Sequence, residues 1–162
     1  MPLTREIIER YNYNDIFIET GTWHGEGVSL ALSVGFKEIH TIENNSHLYG
    51  EACMTFKGDN RVHLWLDDSR HALDLILQDI NEAVTFWLDA HDDNFNSPLL
   101  GELSIISTHK IKGHTILIDD VDDFEQYGWD IQTIKDQLML LCPAYQITII
   151  AAKRLILVAE IP

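Results

Sequence analysis

Five clusters of acidic and small residues carry whatever chemistry this chain performs. The first is Phe17-Ile18-Glu19-Thr20-Gly21-Thr22-Trp23-His24-Gly25-Glu26-Gly27. An apolar run ends on an acid, and glycines follow at two and six positions beyond it. Glycine lets a backbone pass close to a ligand in conformations that other residues avoid. A helix opening just past such a turn presents free N–H groups. The second cluster is His40-Thr41-Ile42-Glu43-Asn44 and the third is Leu66-Asp67-Asp68-Ser69. An acid in the second position accepts hydrogen bonds from ribose hydroxyls in nucleoside-binding α/β folds. A carboxylate and a hydroxyl in the third suit the edge of an adenine. The glycine spacing is Gly-x-x-x-Gly-x-Gly. It is not the Gly-x-Gly-x-x-Gly of a dinucleotide fingerprint, and no phosphate-loop lysine accompanies it.

The remaining clusters are Trp87-Leu88-Asp89-Ala90-His91-Asp92-Asp93-Asn94 and Ile118-Asp119-Asp120-Val121-Asp122-Asp123. If their strands are neighbours, Asp89 meets Asp119 and Asp120. Converging carboxylates repel one another unless a cation sits between them, and oxygen ligands select magnesium, calcium or manganese. Clustered carboxylates without a metal are the other reading. Asp122 and Asp123 read as solvated loop charges.

All five clusters need strand ends to hold them, and the chain alternates strand and helix patterns throughout. Strands are expected at Asp15–Ile18, Glu38–Ile42, Arg61–Trp65, Ala83–Leu88, His114–Ile118, Gln146–Ala151 and Leu155–Glu160. Helices are expected over residues 3–11, His24–Val34, Ser46–Phe56, Ser69–Ile80, Pro98–Ser107 and Ile131–Leu141. Ser46 is the expected N-cap of its helix, and one of Asp67 and Asp68 that of the next. Pro98 opens another helix at the favoured first position. The alternation implies a Rossmann-like, doubly wound α/β sheet. The link Ala152-Lys153-Arg154 is too short for a crossover, so the last two strands form an antiparallel hairpin. The sheet is thus seven-stranded and mostly parallel, and residues 1–162 read as a single domain. Ligands of such sheets lie beyond the strand C-termini.

A net charge of −15 argues against nucleic acid or an anionic membrane as partner. No apolar run reaches membrane-spanning length, and the N-terminus has no signal pattern. Cys53 and Cys142 sit in apolar helical patterns and read as buried and reduced, which suits the cytoplasm. His114, at the head of a buried strand, reads as structural.

With these residues in place the chain resembles the class I S-adenosylmethionine-dependent methyltransferases over nearly its whole length. Glu19-Thr20-Gly21-Thr22-Trp23-His24-Gly25 resembles the family's acid-x-Gly-x-Gly-x-Gly turn, with Trp23 in place of the middle glycine. That bulky substitution is similar to the catechol-type and macrocin-type O-methyltransferases. The resemblance implies a cofactor site of Glu19, Gly21, Thr22, Trp23, Gly25, Glu43, Asn44, Asp68, Ser69 and Asp89. Gly21 would pass beneath the methionine part and Glu43 would bind the ribose. Asp89, Asp119 and Asp120 match the positions of that family's metal ligands, with Mg2+ the expected ion. The metal there activates and aims a substrate hydroxyl. The family's lysine, three residues after the first metal ligand, is Asp92 here. His91 is the nearest titratable replacement and, with Asp89, the catalytic candidate.

The expected activity is methyl transfer to a hydroxyl of a small molecule such as a sugar or polyol. A non-catalytic S-adenosylmethionine- or nucleoside-binding module is the alternative. A metal-dependent hydrolase built on Asp89, His91, Asp119 and Asp120 is a third reading, which leaves Glu19 and Glu43 without a role. The stretches 92–97 and 124–129 are the expected substrate walls, with Phe124, Tyr127 and Trp129 either as a rim or packed onto the sheet. Otherwise a substrate must be enclosed by a second subunit, so a homo-oligomer stays open.

Overall fold

The computed structural model describes residues 2–92 and 96–161 of the chain. Its centre is a seven-stranded sheet: β1 (Ile16–Thr20), β2 (Glu38–Glu43), β3 (Val62–Leu66), β4 (Val84–Leu88), β5 (Thr115–Ile118), β6 (Gln146–Ala151) and β7 (Leu155–Glu160). The order across the sheet is β3-β2-β1-β4-β5-β7-β6. The first five strands pair in parallel, whereas β7 runs antiparallel to both β5 and β6. The chain reverses its winding between β1 and β4, the place where open α/β sheets bind ligands. Every residue of β1 and of β4 is buried, as strands covered on both faces must be. The edge strand β6 is mostly exposed.

Helices cover both faces. One core packs α4 (Ser69–Asp79), α5 (Leu99–Thr108) and α6 (Ile131–Leu141) onto Ile16, Ile18, Phe86, Leu88 and Ile118. The other packs α1 (Arg5–Arg10) and α2 (Glu26–Val34) onto Phe17, Ile39, Trp87 and Leu117. α3 (Ser46–Thr55) follows β2. Alternation along β4 explains the split, because successive side chains point to opposite faces.

The helix starts follow capping chemistry. Thr4, Asn45, Asp68 and Asp130 each accept a hydrogen bond from a first-turn N–H. Asn45, rather than Ser46, caps α3, because its Oδ1 reaches the N–H groups of His47 and Leu48. β1 runs two residues beyond the expected Ile18, since the buried Glu19 and Thr20 keep pairing with β2 and β4. α2 starts at Glu26 and not at His24, because Trp23 and Gly25 adopt left-handed backbone. Pro98 stands just before α5 and not inside it. Cys142 is buried, while Cys53 is only half-buried.

His114 is structural, as its position suggests. The Val84 N–H donates to its Nδ1, so its proton lies on Nε2 and goes to His109 Nδ1. His109 Nε2 in turn donates to the Ile80 carbonyl. Burial pushes the His114 ring down to about 4, which keeps this relay neutral.

Candidate functional site

β1 and β2 build the first corner. Glu19 closes β1 and is 1% exposed. Thr41 Oγ1 donates to its Oε2 at 2.7 Å, and Thr41 meets Thr22 across 2.5 Å. Burial, with Glu43 nearby, pushes the Glu19 carboxyl up to about 8 although the Thr41 bond favours its anion. The carboxyl lies under the first turn of α2. A Cβ on Gly27 would stand 1.7 Å from Glu19 Oε1, so only glycine fits there.

The turn above Glu19 is held by backbone bonds. Gly21 and Thr22 donate to the Ile42 carbonyl, and Gly25 to that of Thr22. Gly21, at φ 86°, presses on the Asp89 carbonyl, where a Cβ would come to 3.0 Å. Trp23 occupies φ 44° in the slot of the expected glycine, with its ring exposed. Glu43 compensates: its Oε2 accepts from the Trp23 N–H at 2.9 Å and its Oε1 from the Asn45 N–H at 2.8 Å. Each oxygen keeps a lone pair for a further donor.

The third corner differs from its expected use. Asp68 caps α4 and also binds Arg70 through both oxygens, at 2.9 and 2.7 Å. The Arg70 guanidinium holds Asp68 below the usual carboxylate range. Asp67 accepts from the Asp68 N–H and meets His71 at 2.6 Å. Ser69 is buried at the head of α4, with its hydroxyl against the buried Glu102 carboxyl of α5.

β4 and β5 bring the remaining acids together. Asp89 and Asp119 share a hydrogen bond, and Asp119 Oδ1 accepts from the Asp120 N–H at 2.7 Å. Burial, followed by the neighbouring carboxylates, holds Asp89 far above its ordinary range, and burial raises Asp119 too. Ligand atoms of Asp89, His91 and Asp120 lie within 4.8 Å of one another. His91 Nε2 stands 3.3 Å from Asp120 Oδ2. Two carboxylates and an imidazole at this spacing could take a divalent cation, whereas Asp119 is not one of the three and is bonded to Asp89 instead.

Part of the missing positive charge comes from the chain itself. Arg154, in the turn between β6 and β7, reaches Asp120 Oδ1 with Nη1 at 2.9 Å and also pairs with Asp123. Asp123 is therefore not merely solvated, and Asp122 accepts from the Leu155 N–H. Asp120 takes up left-handed backbone at φ 56° at the head of a short 3-10 turn, Val121–Asp123. Tyr127 Oη donates to Asp120 Oδ2 at 3.3 Å. Asp92, in the place of the family's lysine, braces its own loop against Asn96 at 2.9 Å. Residues 93–95 of that expected wall lie outside the described residues.

Phe124 is buried, and Tyr127 and Trp129 pack against the same core. The aromatic trio therefore packs onto the sheet and lines a small cavity of about 20 Å3 together with Asp89, Glu102 and Asp120. A second group of possible ligands, Glu38, His40 and His63, lies on β2 and β3. Trp65 donates to His40 Nδ1, which places the ring proton on Nε2 facing Glu38. His40 thus offers no lone pair, and the group is structural.

Two contributors escaped the sequence reading. Glu102 sits at a core position of α5, between Leu99, Leu103 and Ile106, and is 1% exposed. A lone acid on an apolar helix stripe is a visible signal. Arg154 gave none, because a turn of small and basic residues looks like any surface turn.

No protein-family model and no curated protein matches this chain. Solved structures do. A Podospora anserina methyltransferase bound to SAH is 13% identical, with a TM-score of 0.71 over 98% of this chain and 76% of that one. A Bacillus cereus O-methyltransferase in complex with SAH is 16% identical, with a TM-score of 0.69 over 98% and 78%. An rRNA methylase from Streptococcus thermophilus is 14% identical, with a TM-score of 0.61 over 96% and 93%. The fold is the Rossmann-like methyltransferase fold, mostly parallel with antiparallel strands at its C-terminal side.

Proposed function

We propose that this chain is an S-adenosylmethionine-dependent methyltransferase that acts on a hydroxyl of a small molecule with help from a divalent metal. One observation carries the reading. The adjacent strands β2, β1, β4 and β5 lead, at one edge of the sheet, to Glu43, Glu19, Asp89 and Asp119 in turn, all buried or half-buried. The SAH held by two of the similar structures supports the choice of ligand.

In this reading Glu43, already oriented by two N–H groups, accepts from the ribose hydroxyls. Glu19 works beneath the turn, fixing its shape through Thr41 and Gly27. Asp89 and Asp120 would hold the cation, with Asp119 bonded to Asp89. Such an ion would polarise an acceptor hydroxyl and lower its pKa. His91 faces the same point and takes the hydroxyl proton. Holding donor and acceptor in line supplies much of the rate, since the sulfonium methyl is already electrophilic.

A second reading, cofactor binding without transfer, is favoured by one feature: Asp92 replaces the family's lysine and is tied to Asn96. Calorimetry with S-adenosylmethionine and S-adenosylhomocysteine, with and without Mg2+, tests the shared premise. Micromolar binding is expected, weakened at least tenfold (~1.4 kcal/mol) by Glu43→Ala. Absence of binding by either compound defeats both readings. Production of S-adenosylhomocysteine with a panel of vicinal diols separates transfer from binding alone.

A further inference from the structure

The outermost strand β6 pairs with β7 on one side, and no described strand lies on its other side. An open strand edge presents unpaired N–H and C=O groups, and proteins blunt such edges with charge, proline or a bulge. Gln146-Ile147-Thr148-Ile149-Ile150-Ala151 contains no charged residue and no proline. Its pairing with β7 runs in unbroken register from Gln146 to Ala151, so there is no bulge either. The opposite edge strand, β3, is guarded. Asp59 and Arg61 form an ion pair just before it, and Asp67 and Asp68 follow its end.

The flank around β6 is apolar and free of acids. Ile147 packs against the core that α6 covers, and alternation puts Ile149 on the same face. Leu155 shares that face with Leu157 of the same core. Ile149 and Leu155 are exposed there, as are Met139 and Leu140 on α6, Leu140 by 77%. Residues 137–159 contain no Asp or Glu, the longest such stretch in a chain with 26 acids and a net charge of −15. Two copies of so acidic a chain repel one another, and least where acids are missing.

We propose that β6 pairs with β6 of a second copy of this chain, antiparallel about a two-fold axis, joining two seven-stranded sheets into one. Such a contact is self-complementary, because one surface serves both partners. An uncharged strand meets its own reverse without repulsion, and the open N–H and C=O groups of the two edges satisfy one another. On the α6 side, Ile149 of each copy gains apolar cover from its partner. Pairing consumes this edge, and the charges around β3 keep the other one open, so assembly stops at two copies. β7 stands between β6 and β5, which leaves the acids at Asp89, Asp119 and Asp120 outside the contact.

Sedimentation equilibrium of the full chain at ~50 μM should give twice the chain mass, falling toward the monomer on dilution. Ile149→Lys puts a charge on the strand and should halve the mass at the same concentration. Leu75→Lys, at an exposed site on α4, should leave the mass unchanged. Hydrogen exchange needs no variant: the outward amides of residues 146–151 should exchange at least ~10-fold faster once dilution has dissociated the dimer. A monomeric wild type overturns the proposal. So does a dimer whose 146–151 amides exchange at the same rate before and after dissociation. A dimer that survives Ile149→Lys, or is lost equally in Leu75→Lys, overturns it too, because another surface or unspecific apolar association would then hold the copies.

Discussion

Glu19 is a carboxyl group sealed under a helix. Its neighbours are Thr41, which stabilises the anion, and Glu43, which opposes it. Its folded pKa of about 8 lies above the ordinary 4.5, so the folded state holds the proton more tightly. That contribution is complete below pH 4.5 and is lost as pH rises through 8. At ~1.4 kcal/mol per pKa unit the upper bound is about 5 kcal/mol. Urea denaturation between pH 5 and pH 9 should show falling stability, and Glu19→Gln should flatten that slope. An unchanged slope in the variant would remove Glu19 as its source. At this scale the sequence was a good guide where a residue type has one use. Glu19, Gly21, Glu43 and the Asp119-Asp120 pair stand where their spacing indicates. It was a poor guide where partners decide. Asp68 carries the acid expected of a purine contact, yet Arg70 two residues on claims both its oxygens. Trp23 and Asp120, both left-handed without being glycine, are strained residues at the same edge, as functional sites often hold.

Among elements, the hairpin of β6 and β7 has the most unexpected part. Their antiparallel pairing was legible, because a three-residue link is too short for a crossover. That its turn would carry Arg154 to Asp120 was not, since nothing local encodes a contact across 34 positions of sequence. The guanidinium competes with any cation for Asp120. Arg154→Ala should therefore tighten Mg2+ binding about fivefold, or ~1 kcal/mol for a partly screened pair. Calorimetry without nucleoside measures this directly, and weaker or unchanged binding would take Asp120 out of the metal site. Helix starts were legible only to within two residues. α2 begins late because the turn before it uses Trp23 and Gly25 in left-handed backbone, which apolar periodicity does not register.

For the whole molecule, net charge bears on which acceptor is possible. One similar structure is an rRNA methylase. This chain carries 26 acidic against 11 basic residues, and binding a polyanion needs clustered cations. Fluorescence anisotropy with a structured RNA in about 50 mM salt should show no saturable binding below about 100 μM. Micromolar, salt-sensitive binding would shift the acceptor class to RNA. The order of helices and strands was legible end to end, since each element has its own period and its own terminators. The strand order was not, except by analogy, because only tertiary packing places β7 inside β6. That placement governs timing. Made first, β6 has a single neighbour in the sheet, and that neighbour is the strand made after it. During synthesis β5 and its acids emerge early and wait, since β7 must reach back some forty residues, pairing Ala159 with Ile116, before β6 can dock. Arg154 arrives in the same event. The carboxylates at Asp119 and Asp120 thus pass an interval without their counter-charge, and a cation present while the chain is still growing would find them open.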